Sequence, residues 1–301
     1  MNELTLTGLD GSNPLGFLAA LGLLNVLSDR VEGDSSPARL AWRDEGAWRP
    51  VLVSSESGIP DLVGVLRSDL DTWKEAPVLQ LRYEKKAAKA WDLKPPPEVF
   101  SSFLHRIVDS GDRRAIDFVS AFAAEGALDN NGATKPTSLH FTAGQQQFLE
   151  MIDLLVRNVT DDDLGNALVG PWRYDRDLRA VLNWDCTASR DYALRASDPA
   201  KLKLGNPGAD WLGFRGLSFL RVFASRGRLL TTGCHGEWKT GRFRWPLWIH
   251  PIERETVRTL LTLNEFLLQE RRLRGVPVVF ECVIRRSDQG GYGSFAPSAA
   301  V

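Results

Sequence analysis

Leucine recurs every three residues at Leu15, Leu18, Leu21, Leu24 and Leu27, and Phe17 and Leu23 widen the stripe into a strongly apolar helix. Asn13 reads as its N-cap and Pro14 as its first residue, where a missing N–H costs nothing. Gly16, Ala19, Ala20 and Gly22 fill the other side, so a second backbone can come close and the helix is expected to be buried between layers. Ahead of it, residues 4–7 alternate as a short strand does, and residues 8–13 form a turn.

The pattern continues with two strand-like runs, 39–42 and 48–53, flanking a turn at Gly46, a hairpin in which Pro50 suggests an edge position. Residues 60–73 read as a helix with Asp61 near its start, and 78–83 as a strand. Lys85, Lys86 and Lys89 make a basic cluster before the stiff Pro95-Pro96-Pro97 break. Helices are expected over 98–108, 113–124 and 144–156; the last carries Phe148, Met151, Ile152 and Leu155 on one face and Gln145, Gln146 and Gln147 in its first turn. The Asp161-Asp162-Asp163 run caps another short helix.

Beyond Pro171 the chain becomes rich in Trp, Arg and Gly, with six of its ten tryptophans, at 172, 184, 211, 238, 245 and 248, inside 171–250. Runs 219–223 and 228–232 predict a hairpin about Gly227, and 243–249 a strand interrupted by Pro246. A helix over 255–268, a strand over 276–285 and a flexible tail from Gly290 complete the pattern, with no internal repeat. Strands separated by blocks of helices favour an α+β class of mixed helices and short antiparallel strands over a doubly wound sheet. The change of character suggests two lobes, 1–170 with the buried Leu/Gly helix and 171–301 basic and rich in Trp and Arg.

With 301 residues, 43% hydrophobic and 25% charged, the chain can bury a full core without disulfides or metal. Cys186, Cys234 and Cys282 form no CxxC pair. The first residues, with Glu3 and Asp10, lack the basic start of a signal peptide, and no apolar run approaches the roughly 20 residues of a membrane span. A cytoplasmic protein with no membrane partner is expected. The net charge of −1 hides an asymmetry: residues 201–301 hold 16 basic and 8 acidic side chains, the first 200 hold 21 and 30. Such a back half suits a polyanion or the chain's own acidic front half.

Candidate chemistry is sparse. Gly8 and Gly11 lack the spacing of a dinucleotide or P-loop turn, HExxH is absent, and the Asp161–Asp163 run lacks the Gly and Glu of a calcium loop, so no cofactor and no metal are expected. The histidines are His105, in a helical segment, His140, His235 and His250. Cys234-His235 with Glu237 is the one compact group of nucleophile, base and carboxylate, but neighbours on a strand point to opposite faces. Asp175, Asp177, Asp185 and Asp191 alternate with Arg173, Arg176, Arg179 and Arg190, which reads as a salt-bridged surface rather than a two-metal site.

The strongest constellation spans 201–244: Lys201, Lys203, Arg215, Arg221, Arg226, Arg228, Lys239, Arg242 and Arg244 accompany Trp211, Phe214, Trp238, Phe243 and Trp245. Guanidinium groups fork onto phosphates while flat rings stack on unpaired bases, so the combination fits nucleic acid. On a strand, Arg242, Arg244 and Pro246 face one way and Phe243, Trp245 and Leu247 the other, which equally describes an amphipathic strand with its aromatics in the core.

The passage Asp10-Gly11-Ser12-Asn13-Pro14-Leu15-Gly16-Phe17-Leu18-Ala19-Ala20-Leu21-Gly22-Leu23-Leu24 resembles the N-terminal strand-turn-helix of large-subunit-like proteins from type I-G (formerly I-U) CRISPR effector complexes. Asn206-Pro207-Gly208-Ala209-Asp210-Trp211-Leu212-Gly213-Phe214-Arg215-Gly216-Leu217 is similar to a helix of that group that precedes a strand and a Trp-Pro-rich segment, here Trp245-Pro246-Leu247-Trp248. The resemblance implies a non-catalytic large or accessory subunit of an RNA-guided (Cascade) surveillance complex in antiviral defence, with guide RNA, target DNA and other effector subunits as partners. The expected phosphate contacts are Arg215, Arg221, Arg226, Arg228, Lys239, Arg242 and Arg244, and Trp238 is the stacking residue. Two other readings stand beside it: a metal-independent endoribonuclease with His235 or His250 as general base, and a protein-interaction module.

Overall fold

The computed structural model describes residues 1–30, 36–85, 88–142, 146–176, 178, 180–187, 204–263, 269–286 and 293–301. In chain order its elements are β1 (Asn2–Thr5), α1 (Pro14–Ser28), β2 (Arg39–Asp44), β3 (Trp48–Ser54), α2 (Ile59–Thr72), β4 (Tyr83–Lys85), β5 (Ala88–Ala90), α3 (Pro97–Asp109), α4 (Arg113–Phe122), β6 (Ala123–Leu128) and β7 (Thr134–Pro136). There follow α5 (Phe148–Asn158), α6 (Asp161–Val169), α7 (Pro207–Gly216), β8 (Val222–Ser225), β9 (Arg228–Thr231), β10 (Cys234–His235), β11 (Arg242–Leu247), β12 (Ile252–Glu253), α8 (Arg254–Leu261), β13 (Val278–Arg286), β14 (Gly293–Phe295) and β15 (Ala299–Ala300). The class is mixed α+β, as the pattern predicts.

Two helices with the same entry signal form the centre. Asn13 accepts a hydrogen bond from Leu15 N ahead of Pro14, and Asn206 one from Ala209 N ahead of Pro207. Every residue of α1 from Pro14 to Leu27 and all of α7 is buried. Their crossing is reciprocal: a Cβ at Gly22 would lie 1.8 Å from the Leu212 carbonyl oxygen, and one at Gly216 would lie 2.1 Å from that of Leu18. Only a residue without a side chain lets the backbones approach this closely.

Two antiparallel sheets flank the pair, one in the order β1-β3-β2-β12, the other β10-β11-β13-β14 with β15 also on β13. Phe17 of α1 joins them, its ring centroid 6.0 Å from that of Trp42 on β2 and 5.8 Å from that of Trp245 on β11. One hydrophobic cluster extends from Leu6 to Phe295. Packing crosses the lobe boundary expected at 170/171: α1 packs on α7, and β12 completes the sheet of β1–β3.

Local departures have local causes. Pro50 lies in an interior strand, not at an edge; it sits just past the β1 register, which ends at Val51, and there it serves only as an acceptor, taking a bond from Leu6 N at 3.0 Å. The strand expected at 78–83 is a 3-10 turn, Pro77–Leu79, that drops Val78, Leu79 and Leu81 into the core. Helix α4 stops at Phe122, and Ala123 turns extended to pair with Pro136. The helix expected over 255–268 ends at Leu261. Thr160, followed by the three aspartates, caps α6 through a capping box with Asp163. Expectations for Lys86, Gly144, Gln145, Asp177, Arg179, Arg190, Asp191, Lys201, Lys203, 264–268 and 290–292 fall outside the described residues. Among the described residues no helix is long and apolar enough to cross a membrane.

Candidate nucleic-acid interface

Most of the aromatic residues in the basic stretch belong to the core. Trp184, Trp211, Phe214, Phe243 and Trp245 are fully buried. Two of these indoles bond internally: Trp184 Nε1 donates to Leu139 O at 2.9 Å and Trp245 Nε1 to Gly11 O at 2.8 Å. Trp238 differs, with half of its surface exposed in the loop between β10 and β11.

Arg215 is the clearest correction among the expected phosphate contacts. It is 0% exposed. Its Nε and one Nη bind the two oxygens of Asp69 at 2.9 and 3.0 Å, the same Nη reaches Asp29 at 2.9 Å, and the guanidinium lies 4.7 Å from the Trp73 ring centroid. Placement on the inward side of α7 puts this cation out of reach of a surface ligand. Arg221 is half-committed, bound to Asp117 of α4 at 3.2 Å, a carboxylate that Arg258 also holds at 2.8 Å.

The remaining six residues share one continuous outer region. Strands β8 and β9 form the expected hairpin, with Arg226 (φ 50°) and Gly227 (φ 73°) in the left-handed conformation that a two-residue turn requires. Arg226 and Arg228 project from its tip, and the facing pair Phe223 and Leu230 is exposed beside them. Arg228 comes 4.0 Å from Glu237, next to Trp238 and the exposed Lys239. On β11 the alternation holds from 242 to 245: Phe243 and Trp245 face the core, Arg242 and Arg244 face outward, although Pro246 is buried as well.

Both outward arginines bind Glu281, which sequence reasoning did not single out because it lies across the sheet on β13, opposite Arg244. Arg242 donates to one carboxylate oxygen at 2.7 Å and Arg244 Nε to the other at 2.9 Å. Two cations on one anion leave a net positive face with spare N–H donors. Burial raises the Glu281 pKa, but the bonds from Arg244 and Arg242 outweigh this and hold it below the usual carboxylate range. His235, 3.2 Å from both Glu281 and Arg244, has its pKa lowered by burial and by the Arg244 charge.

The sign of the resulting pH dependence follows from that lowering. Well above the ordinary histidine value, folded and unfolded rings are both neutral and His235 contributes nothing. As pH falls through that value the unfolded chain takes up a proton that the folded one resists, so stability declines. His235→Gln protein is expected to lose less stability than wild type between about pH 7 and about pH 5. Urea midpoints at both pH values check this; equal losses would rule out the contribution.

The Cys234-His235-Glu237 group does not assemble. His235 faces outward, Glu237 faces Arg228, and Cys234 lies inward near Ser138 and Arg286, where burial pushes its thiol up to about 12. A thiol that stays protonated is a poor nucleophile. Asp185 is likewise structural, accepting from Asn13 Nδ2 at 2.8 Å and Tyr174 OH at 2.7 Å, while Arg173 and Arg176 pair with Asp162 and Asp163 of α6. No protein-family model matches the chain, and neither does any curated protein or solved structure.

Proposed function

We propose that this chain is a non-catalytic subunit of a cytoplasmic RNA-guided CRISPR surveillance complex that contacts guide RNA or target DNA and neighbouring subunits. The observation that carries the nucleic-acid part is the outer region of 226–244, which holds Arg226, Arg228, Lys239, Arg242 and Arg244 together with a half-exposed indole, Trp238. Cations suit phosphates and the free ring suits an unpaired base. The assignment to such a complex rests on the resemblance of residues 10–24 and 206–217, of which Gly22 and Gly216 lie at the crossing of α1 and α7.

Binding of labelled single-stranded RNA and double-stranded DNA across a salt series tests this reading. Replacing Arg226, Arg228, Arg242 and Arg244 together by alanine is expected to reduce affinity on the order of 100-fold and to flatten the salt slope by about three. Unchanged target binding and complex assembly in that variant would remove the assignment. One observation favours a second reading, metal-independent RNA cleavage: His235 is held by Glu281 beside two arginines, as a general base would be. Cleavage by the wild type that is lost in His235→Gln protein would establish it; no cleavage by the wild type would dismiss it.

A further inference from the structure

Arg286 lies behind Trp238, and two further cations from the front half of the chain, Lys94 and Lys85, are linked to it. The Arg286 guanidinium, at the end of β13, lies between two rings, 4.4 Å from the centroid of Trp238 and 4.8 Å from that of Phe141. It donates to the carbonyls of His140 at 3.0 Å and Ser138 at 2.5 Å, and among the described residues no carboxylate pairs with it. His140 Nε2 is in turn 2.7 Å from the buried carboxylate of Asp92, which also accepts from Phe148 N at 3.0 Å. Two residues on, Lys94 is half-buried and makes no ion pair among the described residues. Lys85, exposed on β4, completes the group, close enough that its charge and that of Arg286 both act on Lys94.

These cations are short of negative charge. Burial, with the charges of Lys85 and Arg286, lowers the Lys94 pKa against the pull of Asp92 and Asp129. Burial alone holds Arg286 at about 10. Asp92 is already committed to His140, so the anion that would relieve the group has to come from outside. The Arg286 guanidinium also packs on the indole, half of whose surface stays exposed.

We propose that Trp238, Lys85, Lys94 and Arg286 form a subsite for one unpaired nucleotide, with the base on the exposed surface of Trp238 and the phosphate on the lysines. This rests on the nucleic-acid reading above and extends it to residues of the acidic front half of the chain.

Short labelled single-stranded RNA and single-stranded DNA, titrated over a salt series, are the probes. Trp238→Ala is expected to weaken binding about tenfold, and Trp238→Phe, which keeps a ring, to retain most of the affinity. Lys85→Gln/Lys94→Gln protein is expected to lower the salt slope by about one to two. Losses with one probe alone identify that strand as the ligand; losses with both identify an unpaired nucleotide of either kind. Unchanged affinity and slope in the Trp238→Ala and lysine variants, beside a loss in the four-arginine variant, would overturn the subsite and leave the wider reading standing. No binding by the wild type at low salt would overturn both.

Discussion

Gly22→Ala protein is expected to be destabilised by about 3 kcal/mol or more, a large part of the roughly 5–15 kcal/mol that holds a typical domain folded. The added methyl carbon would lie 1.8 Å from the Leu212 carbonyl oxygen and 2.7 Å from its carbon. Both belong to the backbone of a buried helix, which no rotamer change can move. Relief requires α1 and α7 to separate, and dispersion contacts along the whole crossing are lost with them. Gly64 in α2 supplies the control, because a Cβ there meets nothing within 4 Å. At that site alanine is expected to stabilise by about 0.5–1 kcal/mol through helix propensity and a less disordered unfolded state. Urea unfolding of both variants checks the pair; a neutral Gly22→Ala would show that the helices do not cross this closely.

Arg215→Met is expected to cost about 3–5 kcal/mol, because it leaves Asp69 and Asp29 without the cation that both of them face. Asp69 suffers most, its side chain being 6% exposed and left with Arg114 at 3.9 Å, whereas Asp29 keeps the closer Arg254. The double variant Arg215→Met/Asp69→Asn is expected to recover much of the loss, since the charge to be desolvated has gone. Arg215→Lys is not, because a single ammonium cannot fork onto Asp69 and reach Asp29 at once. Equal stability of the single and double variants would refute the account. Where Arg215→Met protein remains folded, its salt slope for nucleic acid should equal that of wild type, which separates this arginine from those at 226–244.

Several features were legible because they are decided within one element. The Asn-Pro entry and leucine stripe of α1, the hairpin about Gly227 and the alternation of Arg242 to Trp245 each follow from local sterics and one periodicity. Residues 123–128 were not legible as a strand. Ala-Ala-Glu continues a helical composition, and only pairing with Thr134–Pro136 makes the extended form pay. Among site residues, Lys85 was visible as part of a basic cluster, but nothing in its surroundings along the chain connects it with Trp238.

Residue type and spacing by themselves determined that the chain is mixed α+β, that α1 is a buried apolar helix, and that the basic charge lies in the last third. Tertiary structure alone decided which of the basic and aromatic side chains reach the surface. Arg215 and Trp211 sit four residues apart on a helix buried on every side, so the same cation-and-ring pairing that reads as an interface becomes core. Glu281 and Arg286 enter the outer region through strand pairing and packing between segments far apart in sequence. Periodicity reports the face a residue occupies on its own element, whereas exposure depends on what other elements cover that face, and charge balance on which carboxylates they bring.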